Sequence, residues 1–220
     1  NKLLRNLAEQ APGTFQHSMQ VANLAEAAIL KIEGNALLVR TGALYHDIGK
    51  MANPMYFIEN QSTGFNPHDE LSFEESAEII IGHVIEGIKM AKKNSMPDTL
   101  IDFIRTHHGT STVMYFYKQY IKNFPEEEVD LAKFTYPGPK PFSKETAALM
   151  MADSVEAASR SLAKPDHESI DKLVEGIIDH QMSTGQFENA DITLREIKEI
   201  KKTFKKMLMN IYHIRIQYPE

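Results

Sequence analysis

Cysteine is absent from these 220 residues, which excludes disulfides, thiolate zinc sites and cysteine nucleophiles. Any metal must therefore be held by nitrogen and oxygen. No apolar run approaches the roughly 18–20 residues needed to cross a bilayer. A signal-like start is missing as well, since Asn1-Lys2-Leu3-Leu4-Arg5 leads into an amphipathic stretch. There is no basic excess: the formal charge of −6 argues against a nucleic-acid polymer as partner, which needs a basic face. A small anionic substrate stays acceptable, because bound cations can invert the local field. Strand-like alternation, internal repeats and low-complexity tracts are lacking too.

What remains is an ordinary globular composition, 42% hydrophobic and 25% charged, in a chain of single-domain length. It opens without Met and enters a helical pattern at once, so it reads as a domain excised from a longer protein. Residues 1–13 form a helical lead-in. From Thr14, the residues Val21, Leu24, Ala28 and Ile32 recur at helical spacing, and Asn35 can cap the next segment. Ser72-Phe73-Glu74-Glu75 is a capping-box pattern that opens a helix to about Lys93. Pro97 and Gly109 fit the start and end of another. Further helices are expected over Thr112–Lys122, from a Ser143 cap to about Leu162, and over Ser169–Ser183. Thr193-Leu194-Arg195-Glu196 opens the last, over 193–217.

Breaks fall at Asn60–Asp69, Phe124–Pro141 and Lys164–His167, rich in Pro, Gly or charge. The expectation is one all-α domain over residues 1–220, a compact bundle. In the last helix Ile197, Ile200, Phe204, Met207, Ile211 and Ile214 form a seam, open to packing on the bundle or to a homodimer. The lysines at 198, 201, 202, 205 and 206 read as its solvated side.

Nine histidines matter less by number than by placement. His17 shares a stripe with Val21 and Leu24, His46 follows Val39 and Ala43, and His83 lies with Ile79 and Ile80. His107 and His108 close a helix after Phe103 and Ile104, and Asp153 ends the run Leu149-Met150-Met151-Ala152. A single inward histidine is commonly a hydrogen-bonded core residue. A buried carboxylate, though, needs a cation, a proton or strong donors. Several helices thus send ligand-type side chains into one core, and a shared metal site explains this more economically than a histidine–aspartate hydrogen-bond network. If Asp47 bridges two metals and a hydroxide does too, five His and two Asp fill about ten of twelve octahedral positions. About two are left for a phosphodiester, at a net charge of about +1.

These residues resemble a family. His17, His46-Asp47, His83, His107-His108 and Asp153 look like the ligand series of the HD superfamily, and His46-Asp47-Ile48-Gly49-Lys50 resembles the form found in phosphodiesterases of bacterial cyclic dinucleotides. Tyr136-Pro137-Gly138-Pro139-Lys140-Pro141 and the stretch Ala152 to Arg160 resemble the intracellular domain of the seven-transmembrane-receptor HD family of PgpH type. The likeness runs from about Thr14 to the C-terminus.

The resemblance implies an HD-type helical bundle that hydrolyses cyclic di-AMP to pApA with two divalent metals, iron or manganese. It implies one metal on His17, His46, Asp47 and Asp153, and another on Asp47, His83, His107 and His108. Asp47 would orient the attacking hydroxide, and Lys50 would neutralise phosphate charge. It implies membrane helices upstream, which would place this domain at the cytoplasmic face of a bacterial membrane without membrane contact of its own. The Gly-Tyr-Pro signature of cyclic di-GMP enzymes is missing after His107-His108, where Gly109-Thr110-Ser111 follows.

Around the metals, Arg160 is open to a second phosphate or base, or to a salt bridge with Glu156 or Asp153. Thr110 is open to substrate contact or to local turn bonds. The aromatics Tyr115, Phe116, Tyr117 and Tyr120 could stack on adenine or belong to the core. Three rivals stand beside this reading: an HD hydrolase of another nucleotide, a di-iron oxygenase on the same ligand set, and a sensor that binds without cleaving.

Overall fold

The computed structural model describes residues 2–61 and 64–212. Among these, the regular structure is helical, with one isolated antiparallel bridge between Thr112 and Thr135. The helices are α1 (Lys2–Gln10), α2 (Pro12–Lys31), α3 (Ala36–Tyr45), α4 (Phe73–Lys93), α5 (Asp98–Thr106), α6 (Met114–Asn123), α7 (Lys144–Ser159), α8 (His167–Ser183) and α9 (Leu194–Ile211). Short 3-10 turns lie between α3 and α4, at Ile48–Ala52, Pro54–Tyr56, Ile58–Asn60 and Pro67–Glu70, and recur at Leu131–Phe134. The all-α bundle is the fold expected.

The caps explain most boundaries. Asn35 accepts from Leu38 N, and the boxes at Ser72 and Thr193 are formed. Helix α8 begins ahead of the expected Ser169, because Asp166 caps it in a box whose second member is Ser169. Helix α6 starts after Thr112, which is taken up in the bridge. Helix α7 stops at Ser159, with Arg160 as its cap.

At the centre lies α7, whose residues Ala147 to Val155 are all buried except Ser154. It packs against α2, α3, α5, α8 and α9, so it is apolar nearly all round, as a central helix must be. Asp153 and Glu156 are its buried charged residues, each 5% exposed. A second apolar cluster joins Leu3, Leu7, Ile48, Ala91 and Ile104, pinning the lead-in helix α1 under the 3-10 turn at Ile48–Ala52.

Helix α9 packs on the body. Ile197, Ile200, Phe204 and Leu208 are buried in the main core, while Met207 is only half-buried and Ile211 is exposed. Ile214 lies outside the described residues. The lysines divide in a way the periodicity does not predict. Lys201 bonds Glu175 and Asp179, and Lys205 bonds Asp171 and Glu175, so both tie α9 to α8.

The box that starts α9 can be tested. Thr193 Oγ1 accepts from Glu196 N at 3.2 Å, and the Glu196 carboxylate accepts from Thr193 N at 2.7 Å. Thr193→Ala should lower stability by about 1 kcal/mol, read as a urea midpoint shift at unchanged metal content. Lys144 and the Thr193 amide hold the Glu196 carboxyl down at about 2. Its contribution is therefore complete above about pH 4.3 and fades as the pH falls through the folded value.

Candidate metal centre

Five segments meet at one end of α7. Helix α2 brings His17 from its second turn and α4 brings His83. Helices α3 and α5 each end at a histidine, His46 and His107, which serve as their C-caps. The residues that follow, Asp47 and His108, turn into the same space. Helix C-termini carry partial negative charge, so two helix ends here favour a cation. Exposure is 0% for His46 and His107, 1% for Asp47, 3% for His83, 4% for His17 and 5% for Asp153.

Close backbone approach makes this possible. A Cβ added at Gly49 would lie 1.8 Å from His83 O and 2.4 Å from Gly87 N. The 3-10 turn after Asp47 thus sits directly on α4 at His83 and Gly87, which are one helical turn apart, and sets Asp47 against His83.

Tautomers follow from the backbone. Nδ1 of His46, His83 and His107 lies 2.7, 2.5 and 2.7 Å from the carbonyls of Ala43, Ile80 and Ile104. A carbonyl only accepts, so each Nδ1 carries the proton and each Nε2 presents a bare lone pair in the neutral ring. His83 Nε2 and His107 Nε2 face each other at 3.1 Å, an arrangement that repels unless a cation lies between them. His46 Nε2 and Asp47 Oδ1 are buried without a hydrogen-bond partner among the described residues.

The donors fall into two groups, His17, His46, Asp47 and Asp153 in one and His83, His107 and His108 in the other, with ligand atoms within 4.8 Å of one another in each. Asp47 stands between them. Its Oδ2 is 3.3 Å from His46 Nε2 and 3.5 Å from His17 Nε2, while its Oδ1 is 3.3 Å from His83 Nε2 and 3.6 Å from His107 Nε2. Ligands about 2.1 Å from a metal lie about 3.0–3.4 Å apart along the edges of their polyhedron. The residues present therefore fit divalent cations.

Electrostatics agree. Burial alone would depress His46, but the carboxylates of Asp47 and Asp153 outweigh it and push the ring up to about 10. That is a demand for positive charge which a dication answers. Burial drives His107 and His108 down, keeping them neutral as ligands must be. Burial would raise Asp47, yet Lys50 and His46 hold it well below the usual carboxylate range.

Lys50 sits on the 3-10 turn just beyond Asp47, with Nζ 2.8 Å from Asp47 Oδ2 and 2.9 Å from Glu59 Oε1. Glu59 also accepts from Thr14 Oγ1 at 3.0 Å. Lys50, His17, His108, Asp153, Ile58 and Arg160 line a cleft of about 440 Å³. A larger groove of about 1090 Å³ runs along α4, but Glu74, Glu75, Glu78 and Glu86 line it against Lys133. Those carboxylates disfavour a nucleotide anion.

Arg160 takes the salt-bridge role, with Nε and Nη2 at 2.8 and 2.7 Å from Glu156 Oε1. Thr110 meets a distant segment: its amide donates to Gln186 Oε1 at 3.0 Å and its hydroxyl faces the same side chain. The aromatic cluster also turns away: Phe116 packs with Ala77 and Phe134, and Tyr115 is exposed. The aromatics at the site are Tyr136, stacked on His108 with ring centroids 4.2 Å apart, and Phe57, whose ring lies 5.7 Å from His83 and 5.0 Å from Lys50 Nζ.

Glu59, Gln186 and the Tyr136 stack escape the sequence, being loop contacts without periodicity. Glu156 does not quite escape. As a second acidic residue in the apolar run of α7, it carries the same signal as Asp153.

Comparison with known proteins agrees with this geometry. The HD domain model matches residues 14–158. The cyclic-di-AMP phosphodiesterase PgpH of Listeria monocytogenes serotype 1/2a (strain 10403S) is 48% identical over 218 residues, covering 99% of this chain and 30% of the relative. The protein of the same name from Bacillus subtilis (strain 168) is 47% identical over the same span, again 30% of its length. The chain thus spans under a third of these curated relatives. Among solved structures, the L. monocytogenes PgpH HD domain in complex with cyclic-di-AMP matches with a TM-score of 0.93 at 47% identity, covering 99% of this chain and 100% of that one. With most of its length matched and both donor groups in the core, this chain belongs to the HD-domain family.

Proposed function

We propose that this domain hydrolyses cyclic di-AMP to pApA, adding one water across a single phosphodiester bond. The observation that carries the reading is the bridging posture of Asp47 between two donor groups, each able to hold a divalent cation. The likeness to the PgpH domain bound to cyclic-di-AMP supports the choice of substrate. His17, His46, Asp47 and Asp153 would hold one cation, and Asp47, His83, His107 and His108 the other. Bound there, such cations supply an activated water and withdraw charge from the phosphodiester oxygens. Iron or manganese suits the mixed nitrogen and oxygen donors.

The chain's own residues do the rest. Asp47 presents one oxygen to each donor group and fixes the spacing of the pair. Burial would weaken the Lys50 ammonium, but Asp47 and Glu59 more than restore it, so it is a permanent cation beside the reacting phosphate. Arg160 adds positive charge at the cleft rim while its ion pair with Glu156 stays in place. The carboxylates of Glu59 and Glu156 keep both cations from swinging freely. In a longer protein this domain would work at the cytoplasmic face of a membrane; none of the described helices is itself long and apolar enough to cross one.

Chromatographic turnover of cyclic di-AMP and cyclic di-GMP, with the purified chain loaded with Mn²⁺ or anaerobic Fe²⁺, tests the reading. Conversion of cyclic di-AMP to pApA, at least about tenfold faster than any cleavage of cyclic di-GMP, is the expected result, a difference of about 1.4 kcal/mol in the barrier. Two bound metals with neither dinucleotide cleaved would reject it.

A further inference from the structure

Four of the site's five histidines are held in two different ways. His46, His83 and His107 each donate Nδ1–H to the carbonyl three residues earlier, so their rings are fixed by their own helix turn. His17 lies in the second turn of α2 and finds two acceptors on another helix, with Nε2 2.9 Å from Asp153 Oδ1. Its Nδ1 is 2.5 Å from Oε2 of Glu156, 139 residues away on α7. Its orientation therefore depends on a tertiary contact that the other three rings do not need.

We propose that Glu156 is a positioning residue for the first metal: it holds His17 with the proton on Nδ1 and Nε2 bare, and Arg160 in turn holds Glu156. The inference rests on the reading of His17 as a metal ligand. Glu156 is 5% exposed, so solvent does not offer its oxygens alternative partners. One oxygen serves His17, and the other accepts from both Nε and Nη2 of Arg160. A carboxylate can answer these two sets of donors because it has two acceptor oxygens. An amide has one. In Glu156→Gln, an oxygen turned to Arg160 leaves an NH₂ facing His17, whose Nδ1 must then accept. The ring proton moves to Nε2, and the lone pair needed for the metal is lost.

This logic predicts a rescue that simple packing would not give. Removing Arg160 frees the amide oxygen to turn to His17 and restores the correct tautomer. Metal-stripped wild type, Glu156→Gln and the double variant Glu156→Gln/Arg160→Ala would be titrated calorimetrically with Mn²⁺, with melting temperatures of the metal-free proteins recorded alongside. Wild type should bind two Mn²⁺. Glu156→Gln should weaken one of them by about 10–100-fold, the usual effect of losing a partner behind a ligand, and leave the other unchanged. The double variant should bind that Mn²⁺ more tightly than the single one.

Retention of both affinities to within about twofold in Glu156→Gln, or a double variant no tighter than the single, overturns the proposal while leaving the two-metal reading intact. A wild type that binds fewer than two Mn²⁺ removes that reading and this inference with it.

Discussion

Asp47→Ala is expected to abolish turnover, by at least about 10³-fold, and to empty both metal positions together. The reason is the division of labour between its oxygens, Oδ2 towards His17 and His46 and Oδ1 towards His83 and His107. A ligand confined to one group gives a different result. His83→Ala removes a donor from one set only, and about one metal per chain should remain. Elemental analysis of the two variants after equal Mn²⁺ loading separates these cases. Retention of two metals by Asp47→Ala would mean that the groups bind independently, and the bridging account would fall. Lys50 makes the alanine variant harsher still, since its ammonium would lose the Asp47 partner 2.8 Å away and keep only Glu59.

The second large effect is on the fold. Gly49→Ala puts a methyl group 1.8 Å from His83 O, and neither backbone can yield without moving a ligand. A cost of about 3 kcal/mol or more is expected. At about 2–4 °C per kcal/mol for a chain of this size, the melting temperature should fall by at least about 6 °C. Metal content should fall too, because the displaced turn carries Asp47 away from His83. Gly82→Ala, on α4 beside His83, is the control. Nothing lies within 4 Å of its added Cβ, so it should leave the melting temperature unchanged or raise it slightly. If both variants melt like the parent, the close approach is not what seats the turn.

The donor residues were legible because they break a pattern. A histidine or aspartate on an apolar stripe contradicts the stripe, and Asp153 in the run from Leu149 to Val155 does so most plainly. The caps at Asn35, Ser72, Ser143 and Thr193 were legible for a similar reason, each being a local hydrogen-bond arrangement written in a few residues. What escaped depends on distant segments. Glu59 reaches Lys50 and Thr14 from a loop, and Gln186 meets Thr110 from 76 residues away. Nor could periodicity tell that Lys201 and Lys205 would face α8 while Lys202 stays exposed. That choice follows from the angle at which α9 lies on its neighbours, which is set by packing rather than by its own residues.

The donor residues are also far apart in the chain. His17 and Asp153, 2.9 Å apart in space, are separated by 136 positions, and His46, His83 and His107 come from three further segments. A cation held by such a set is a cross-link as well as a reagent, closing long loops whose entropy otherwise favours the open chain. Ligands that bind only the folded form raise its stability with their concentration. Persistence of the domain would thereby be tied to metal supply. In a cell starved of metal, the emptied bundle would open more often and be cleared by proteases, so scarcity would lower the amount of protein as well as the rate at which each copy works.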